Sequence, residues 1–292
     1  MPTGGRWSRP RSTTACAPPP APVCRCARWC VPRRRLPVPR SEAPAVEVDP
    51  SPFDLPGTGR AAALCLHGLT GTPYEVRPIG EALSAAGIAA LGPALPGHNE
   101  TPERLARVSH EEWVAAAREA LARLRATHAR VFVVGLSMGG LVSLALAAEE
   151  RVDAAIVVGV PLRLRQPAVR LVPFAKRFVP FFNKGGGSDI RDAAARARHP
   201  SYDRMPLAAV HELLRLQRRV RALLPRIEAP LLVAHGALDR TAHPDDAHEI
   251  LRGVASSERE HLSLADSGHV VPVDVDAARF LAAVVGFLQR HA

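Results

Sequence analysis

The 292-residue sequence contains no run of about 18 or more uncharged apolar residues, which excludes a helix crossing a bilayer. Apolar runs such as Val131 to Val134 are strand-sized instead. Cysteine is nearly missing after residue 45, where Cys65 stands alone. That part of the chain can close no internal disulfide, which is compatible with a reducing compartment, and the cytoplasm is the expected location. A secretory signal would need about 7 to 15 apolar residues after its basic start, yet Arg33, Arg34 and Arg35 are followed by Leu36, Pro37, Val38 and Pro39. Internal repeats are absent as well.

What the first 45 residues do have is charge. They hold nine arginines against one acid, Glu42, which accounts for eight of the ten net positive charges and leaves the remainder with no strong electrostatic bias toward nucleic acid. They also carry ten of the 28 prolines and four of the five cysteines, with almost no apolar periodicity. Such a segment cannot bury a core, so residues 1–45 read as a disordered basic extension, ahead of a targeting segment or a small metal- or nucleic-acid-binding piece. Cys16, Cys24, Cys26 and Cys30 lack the paired spacing and the histidines of a zinc knuckle.

From Arg60 onward short apolar runs alternate with amphipathic stretches, the pattern of a parallel sheet covered on both faces. Strands are expected at Ala61–Leu66, Ile88–Leu91, Val131–Val134, Ala154–Val158, Leu231–Ala234 and His261–Leu264. A helix over His110 to Ala126 is announced by Ser109 and Glu112, a capping box, and a last helix spans about Asp274 to Arg290. The alternation breaks between Pro161 and Pro230, which reads as an insertion holding one helix from Met205 to Leu224. Phe174, Phe178, Phe181 and Phe182 supply that insertion with apolar material to roof a cleft.

The chemistry concentrates at four places. Val131–Val134 runs into Gly135-Leu136-Ser137-Met138-Gly139 and then into a helical run, so Ser137 stands on a sharp strand-to-helix turn. A hydroxyl needs a base, and in this arrangement acid and histidine follow the serine in that order. His269, in the Ser267-Gly268-His269 loop before the last helix, suits the base better than His235, which ends a strand, or His243, His248 and His291. Asp239, on the loop after Leu231–Ala234, suits the acid. Asp245 and Asp246 look like helix-start acids, and Asp266 lies only three residues from His269. After the first strong strand comes His67-Gly68-Leu69-Thr70-Gly71, whose backbone can bend toward a substrate oxygen. The N–H groups of Leu69 and Met138 are the expected oxyanion donors, each worth about 2.7 to 4 kcal/mol. His67 and His98 read as supports of their turns.

Together these motifs resemble the α/β-hydrolase superfamily across roughly residues 60 to 290. More narrowly, His67 to Pro73, Gly135 to Gly140, and His199-Pro200 through Met205-Pro206 are similar to the bacterial carboxylesterase and monoacylglycerol lipase group. The resemblance implies an α/β-hydrolase fold in residues 46–292: a mostly parallel sheet, helices on both faces and a small, mainly helical cap over about 161–229. It also implies hydrolysis of short to medium acyl esters with no cofactor and no metal. The sequence departs from the group at Asn99, where glycine is usual after Pro-Gly-His.

The expected reaction is two-step acyl transfer on a small-molecule ester, with no nucleic-acid partner and no transmembrane segment. A thioesterase, acyltransferase or peptidase would use the same residues, and a hydrolase-fold binding protein would normally show a damaged triad.

Overall fold

The computed structural model describes residues 48–185 and 187–292, so the extension expected over residues 1–45 lies outside the described residues. In chain order the strands are β1 (Phe53–Leu55), β2 (Ala61–Leu66), β3 (Ala89–Gly92), β4 (Arg130–Leu136), β5 (Ala154–Val158), β6 (Phe181–Asn183), β7 (Arg204–Pro206), β8 (Leu231–Gly236) and β9 (Arg259–Leu264). The helices are α1 (Arg77–Ala85), α2 (Pro102–Leu105), α3 (His110–Arg125), α4 (Met138–Glu149), α5 (Val172–Ala175), α6 (Ala193–Arg198), α7 (Leu207–Leu223), α8 (Asp245–Gly253) and α9 (Ala277–Gln289).

Seven strands form one sheet in the order β1-β3-β2-β4-β5-β8-β9. All neighbours run parallel except β1, which pairs antiparallel with β3. Side chains alternate across the sheet, so β4 sends Val131 and Val133 to one apolar layer and Phe132 and Val134 to the other. Helices α3, α4 and α7 cover the first layer, and α1 and α9 cover the second. Helix α4 lies between the sheet and α7. Its residues from Met138 to Ala147 are therefore all buried, and it carries no polar stripe.

The chain goes from β2 outward to β3 and returns to β4 on the other side of β2. At such a reversal the loops beyond the carboxyl ends of β2 and β4 diverge and leave a crevice. The turn holding Ser137 and the loop beginning at His67 flank this crevice.

The expected strands are present, extended by one or two residues at some ends, with β3 beginning one residue later than expected. Strand β1 was not anticipated. It has three residues and one inward side chain, Phe53, whose ring fills the space over Gly80 and Gly92 where a Cβ would collide with it. Between β5 and β8 lie α5, the antiparallel pair β6 and β7, α6 and α7. Within this segment α7 packs Leu213, Leu216 and Val220 into the main core. In contrast, Phe174, Phe178 and Phe182 point to solvent, so these three do not roof a cleft.

Phe53→Ala should remove about 3 kcal/mol of stability. The check is the midpoint of urea unfolding at unchanged slope. A loss below about 1 kcal/mol would mean that β1 contributes little to the sheet.

Candidate active site

Strand β4 ends at Leu136 and α4 begins at Met138, which leaves Ser137 alone at φ 56°, ψ −116°. A side chain held there costs about 1 to 3 kcal/mol and persists only where its surroundings fix it. Here they do. Ser137 N–H donates to the Val158 carbonyl at 2.9 Å, and the Ser137 carbonyl accepts from Leu141 N–H at 3.1 Å. Gly135 and Gly139 make the turn possible, because a Cβ on Gly139 would strike the Leu66 carbonyl and one on Gly135 would strike the carbonyl of Gly139.

His269 reaches both partners at hydrogen-bond distance. Its Nε2 lies 2.8 Å from Ser137 Oγ and its Nδ1 lies 2.8 Å from Asp239 Oδ2. A carboxylate only accepts, so Nδ1 carries the proton and Nε2 faces the hydroxyl as an acceptor. The ring is backed by Gly159 at φ 59°, where a Cβ would lie 3.3 Å from Nδ1. Asp266, the rival acid, is exposed and donates its N–H to Asp276.

Asp239 is buried and fully engaged. Its Oδ1 accepts from the N–H groups of Thr241 and Ala242, each at 2.8 Å. Its Oδ2 faces His269 and also His235 Nε2 at 3.0 Å. Burial alone would raise the Asp239 pKa, but the two imidazoles and the Ala242 N–H outweigh it and hold the group well below the carboxylate range. For His269, burial disfavours the charged form. Asp239 outweighs that term, with smaller help from Asp189 and Glu75, and the pKa rises above the ordinary imidazole value.

The loop after β2 sits against the serine: a Cβ on Gly68 would lie 3.4 Å from Ser137 Cβ. The N–H of Gly68 donates to Glu75 Oε2 at 2.7 Å, whereas the N–H groups of Leu69 and Met138 find no acceptor among the described residues. Met138 is the first residue of α4, where helix amides are free. His67 supports the turn as expected, donating from Nδ1 to the Gly68 carbonyl and accepting at Nε2 from Leu95 N–H. Burial pushes the His98 pKa down to about 3, so this ring, packed edge-on against His67 and Trp113, is neutral. Asn99 adopts φ 57°, a conformation that asparagine tolerates better than most residues and that explains how it stands where glycine is usual.

Several supporting groups were not legible beforehand. Glu75 is buried beneath the loop and pairs with His199 at 3.0 Å, and His199 in turn meets Ser188 Oγ at 2.7 Å. Burial would raise the Glu75 pKa, but His199, His67 and the Gly68 N–H bring it down to about 2. Lys184, half-buried, donates to Thr70 Oγ1 and to Ser201 Oγ. The Asp189 carbonyl accepts from His269 N–H at 2.8 Å, and its carboxylate accepts from Arg240 N–H at 2.7 Å. The insertion thus ties the histidine loop to the aspartate loop. His235, passed over as the base because it ends a strand, touches Asp239. The signal available for it was its position four residues before that aspartate.

Residues 57–276 match the hydrolase family described as serine aminopeptidase, S33. The chain belongs to that family. Its sequence is 32% identical over 234 residues to a thermostable monoacylglycerol lipase from Bacillus sp. strain H-257, covering 80% of this chain and 92% of that one. A carboxylesterase from Bacillus subtilis strain 168 is 24% identical over 247 residues, 83% and 98% of the respective chains. Among solved structures, a chain from the work on LipS and LipT, two metagenome-derived lipolytic enzymes, superposes with TM-score 0.79 at 29% identity, over 84% of this S33 chain and all of that one. The monoacylglycerol lipase of Paleococcus ferrophilus shares the fold at TM-score 0.73 and 20% identity, over 82% and 98%. The S33 chain has the α/β-hydrolase fold.

Two titrations follow. The His269 imidazole, followed by NMR, should titrate above about 6.5, and Asp239→Asn should move that midpoint down. An unchanged midpoint would remove Asp239 as the cause. Glu75 titrates at about 2 in the folded chain against 4.5 when free. The stability it adds is therefore whole above pH 4.5 and lost as pH falls toward 2, on the order of 3 kcal/mol in all. Urea unfolding of Glu75→Gln should show a shallower acid slope than the parent.

Proposed function

We propose that Ser137, His269 and Asp239 act as a catalytic triad cleaving carboxylic esters, with the N–H groups of Leu69 and Met138 as the oxyanion hole. The observation that carries the reading is the unbroken hydrogen-bonded line from Asp239 through His269 to a serine held on a strained turn. His269 Nε2 takes the Ser137 proton as Oγ attacks the ester carbonyl, and the same proton passes to the departing alcohol. An acyl-serine remains. Water then gives a proton to His269, its oxygen attacks the acyl carbon, and Ser137 leaves with that proton restored. Asp239 keeps Nδ1 protonated and stabilises the imidazolium that forms in each step. Charge grows on the carbonyl oxygen in both steps, and the two unpartnered amides beside Ser137 suit that oxygen.

The enzyme is a carboxylic ester hydrolase. Ester rather than peptide chemistry is favoured by the lipase and carboxylesterase relatives, which match 80% and 83% of the chain. Uncharged esters of short to medium acyl length, monoacylglycerols among them, are the proposed substrates. We assign residues 161–229 the role of a cap, supported by their contacts to the loop at Thr70 and to the histidine loop. We place the protein in the reducing cytoplasm. Cys65, the one cysteine among the described residues, is buried and its thiol is pushed up to about 12, too high to react readily.

Ser137→Ala should abolish both ester turnover and labelling by a fluorophosphonate, and labelling that persists at another residue would sink the assignment. His269→Ala should cost roughly 10³-fold or more in kcat with the fold intact. Across p-nitrophenyl esters from acetate to palmitate, kcat/KM should rise and then fall, each buried methylene adding up to ~0.8 kcal/mol until the pocket ends. Acyl-CoA substrates outrunning every ester tenfold would overturn the ester reading in favour of a thioesterase.

A further inference from the structure

The stretch from Ala154 to Ser188 contains neither aspartate nor glutamate, yet it holds four arginines and two lysines. Three of these cations are occupied: Arg163 binds Glu249, Arg165 binds Asp246, and Lys184 is turned inward onto Thr70 and Ser201. Arg170, Lys176 and Arg177 make no ion pair among the described residues. The same stretch exposes large apolar side chains at helical spacing. Leu171 is 64% exposed, Phe174 72% and Phe178 84%, while Val172, turned inward, is buried. Successive turns from Pro167 to Val179 put the three exposed side chains on one side.

Beside them a cleft of about 390 Å³ separates this stretch from α7. Arg163, Arg170, Arg218 and Arg221 line it, over Leu164 and Leu214. Among the described residues only Arg163 of the four makes an ion pair; Arg170, Arg218 and Arg221 make none, with Glu249 and Asp246 acting on Arg221 only from a distance. Burial chiefly disfavours the charge of Arg221, and Arg163 and Arg218 add repulsion that Glu249 and Asp246 partly offset and a bound anion would relieve further. None of the lining residues belongs to the triad or the oxyanion loop.

We propose that this face docks on the surface of an anionic phospholipid bilayer. Leu171, Phe174 and Phe178 would enter the boundary between headgroups and acyl chains, and the arginine cleft would hold lipid phosphate. Exposed apolar area with a basic rim has few other uses on a water-exposed face. Guanidinium forks match phosphate oxygens in pairs, and an anionic leaflet attracts each added cation. Charge also selects among occupants. A second copy of this face, or the chain's own first 45 residues with nine arginines against Glu42, would bring like charge to like charge. The inference stands on the exposed face alone and does not depend on the reading of Ser137.

The test is sedimentation of the full chain with vesicles of phosphatidylcholine, alone or mixed with phosphatidylglycerol. Binding to the mixed vesicles should be at least tenfold tighter. Phe174→Ser with Phe178→Ser, and separately Arg170→Gln with Lys176→Gln and Arg177→Gln, should each weaken it about tenfold or more, with thermal midpoints close to the parent's because all these side chains lie at the surface. Absent binding by the parent would overturn the proposal. So would binding that survives both variants, since the basic first 45 residues would then account for it. Equal affinity for the two vesicle types would overturn the anionic part.

Discussion

At the carboxyl end of β4 three stretches of backbone touch without any side chain between them. The carbonyl of Leu66 rests on Gly139, and the carbonyl of Gly139 rests on Gly135, in places where a single Cβ has no room. This contact lets α4 start immediately after the strand and leaves Ser137 in a conformation it would not choose. It also brings the first free amide of α4 and the loop after β2 to the same side of the serine. Other parts of the site are positioned against that point. The histidine arrives from the far side of β8 and the aspartate from its end, and each is held by backbone groups and not by its own side chain alone.

The same logic of buried polar groups extends outward. Glu75 and Asp189 are acids placed where apolar residues would pack more cheaply, and each joins two loops that no helix or strand connects. Glu75 takes the Gly68 amide with one oxygen and His199 with the other. Asp189 takes the histidine loop with its carbonyl and the aspartate loop with its carboxylate. Buried charges of this kind add little net stability against a good apolar substitute, but they fix one arrangement among several. For the proposed acyl transfer, where a misplacement of about 1 Å would cost orders of magnitude in rate, that selection is their value.

The sheet and the positions of the three residues proposed as a triad were legible in the sequence because each leaves a local mark. Strands buried on both faces read as unbroken apolar runs, as at Ala154 to Val158. Ser137, Asp239 and His269 each occupy a short segment whose glycines and flanking strand announce a turn, and the structure brings the three side chains into contact. What stayed hidden was set by partners distant in sequence. Strand β1 is three residues long and is defined by the ring of Phe53 filling a gap between glycines 27 and more positions away. The pair Glu75 and His199 spans 124 residues, and although His199 opens a motif shared with the group, nothing local names Glu75 as its partner. The aromatic residues of the insertion illustrate the converse error. Phe174 and Phe178 are apolar, and apolarity alone suggested burial, but nothing in a single sequence says which side of a short helix has a neighbour.

The position of His199 and Asp189 has a practical meaning for anyone recombining members of this family. Both sit in the segment between β5 and β8, proposed above as a cap and so a natural segment to exchange. Replacing it wholesale would strip His199 from Glu75, leaving that carboxylate only the Gly68 amide, and would leave the amide of His269 without its acceptor. A chimera therefore has to import matching residues at both points or carry these two across unchanged. The boundary of the exchangeable module runs through its interior contacts, and it does not coincide with the ends of the insertion along the chain.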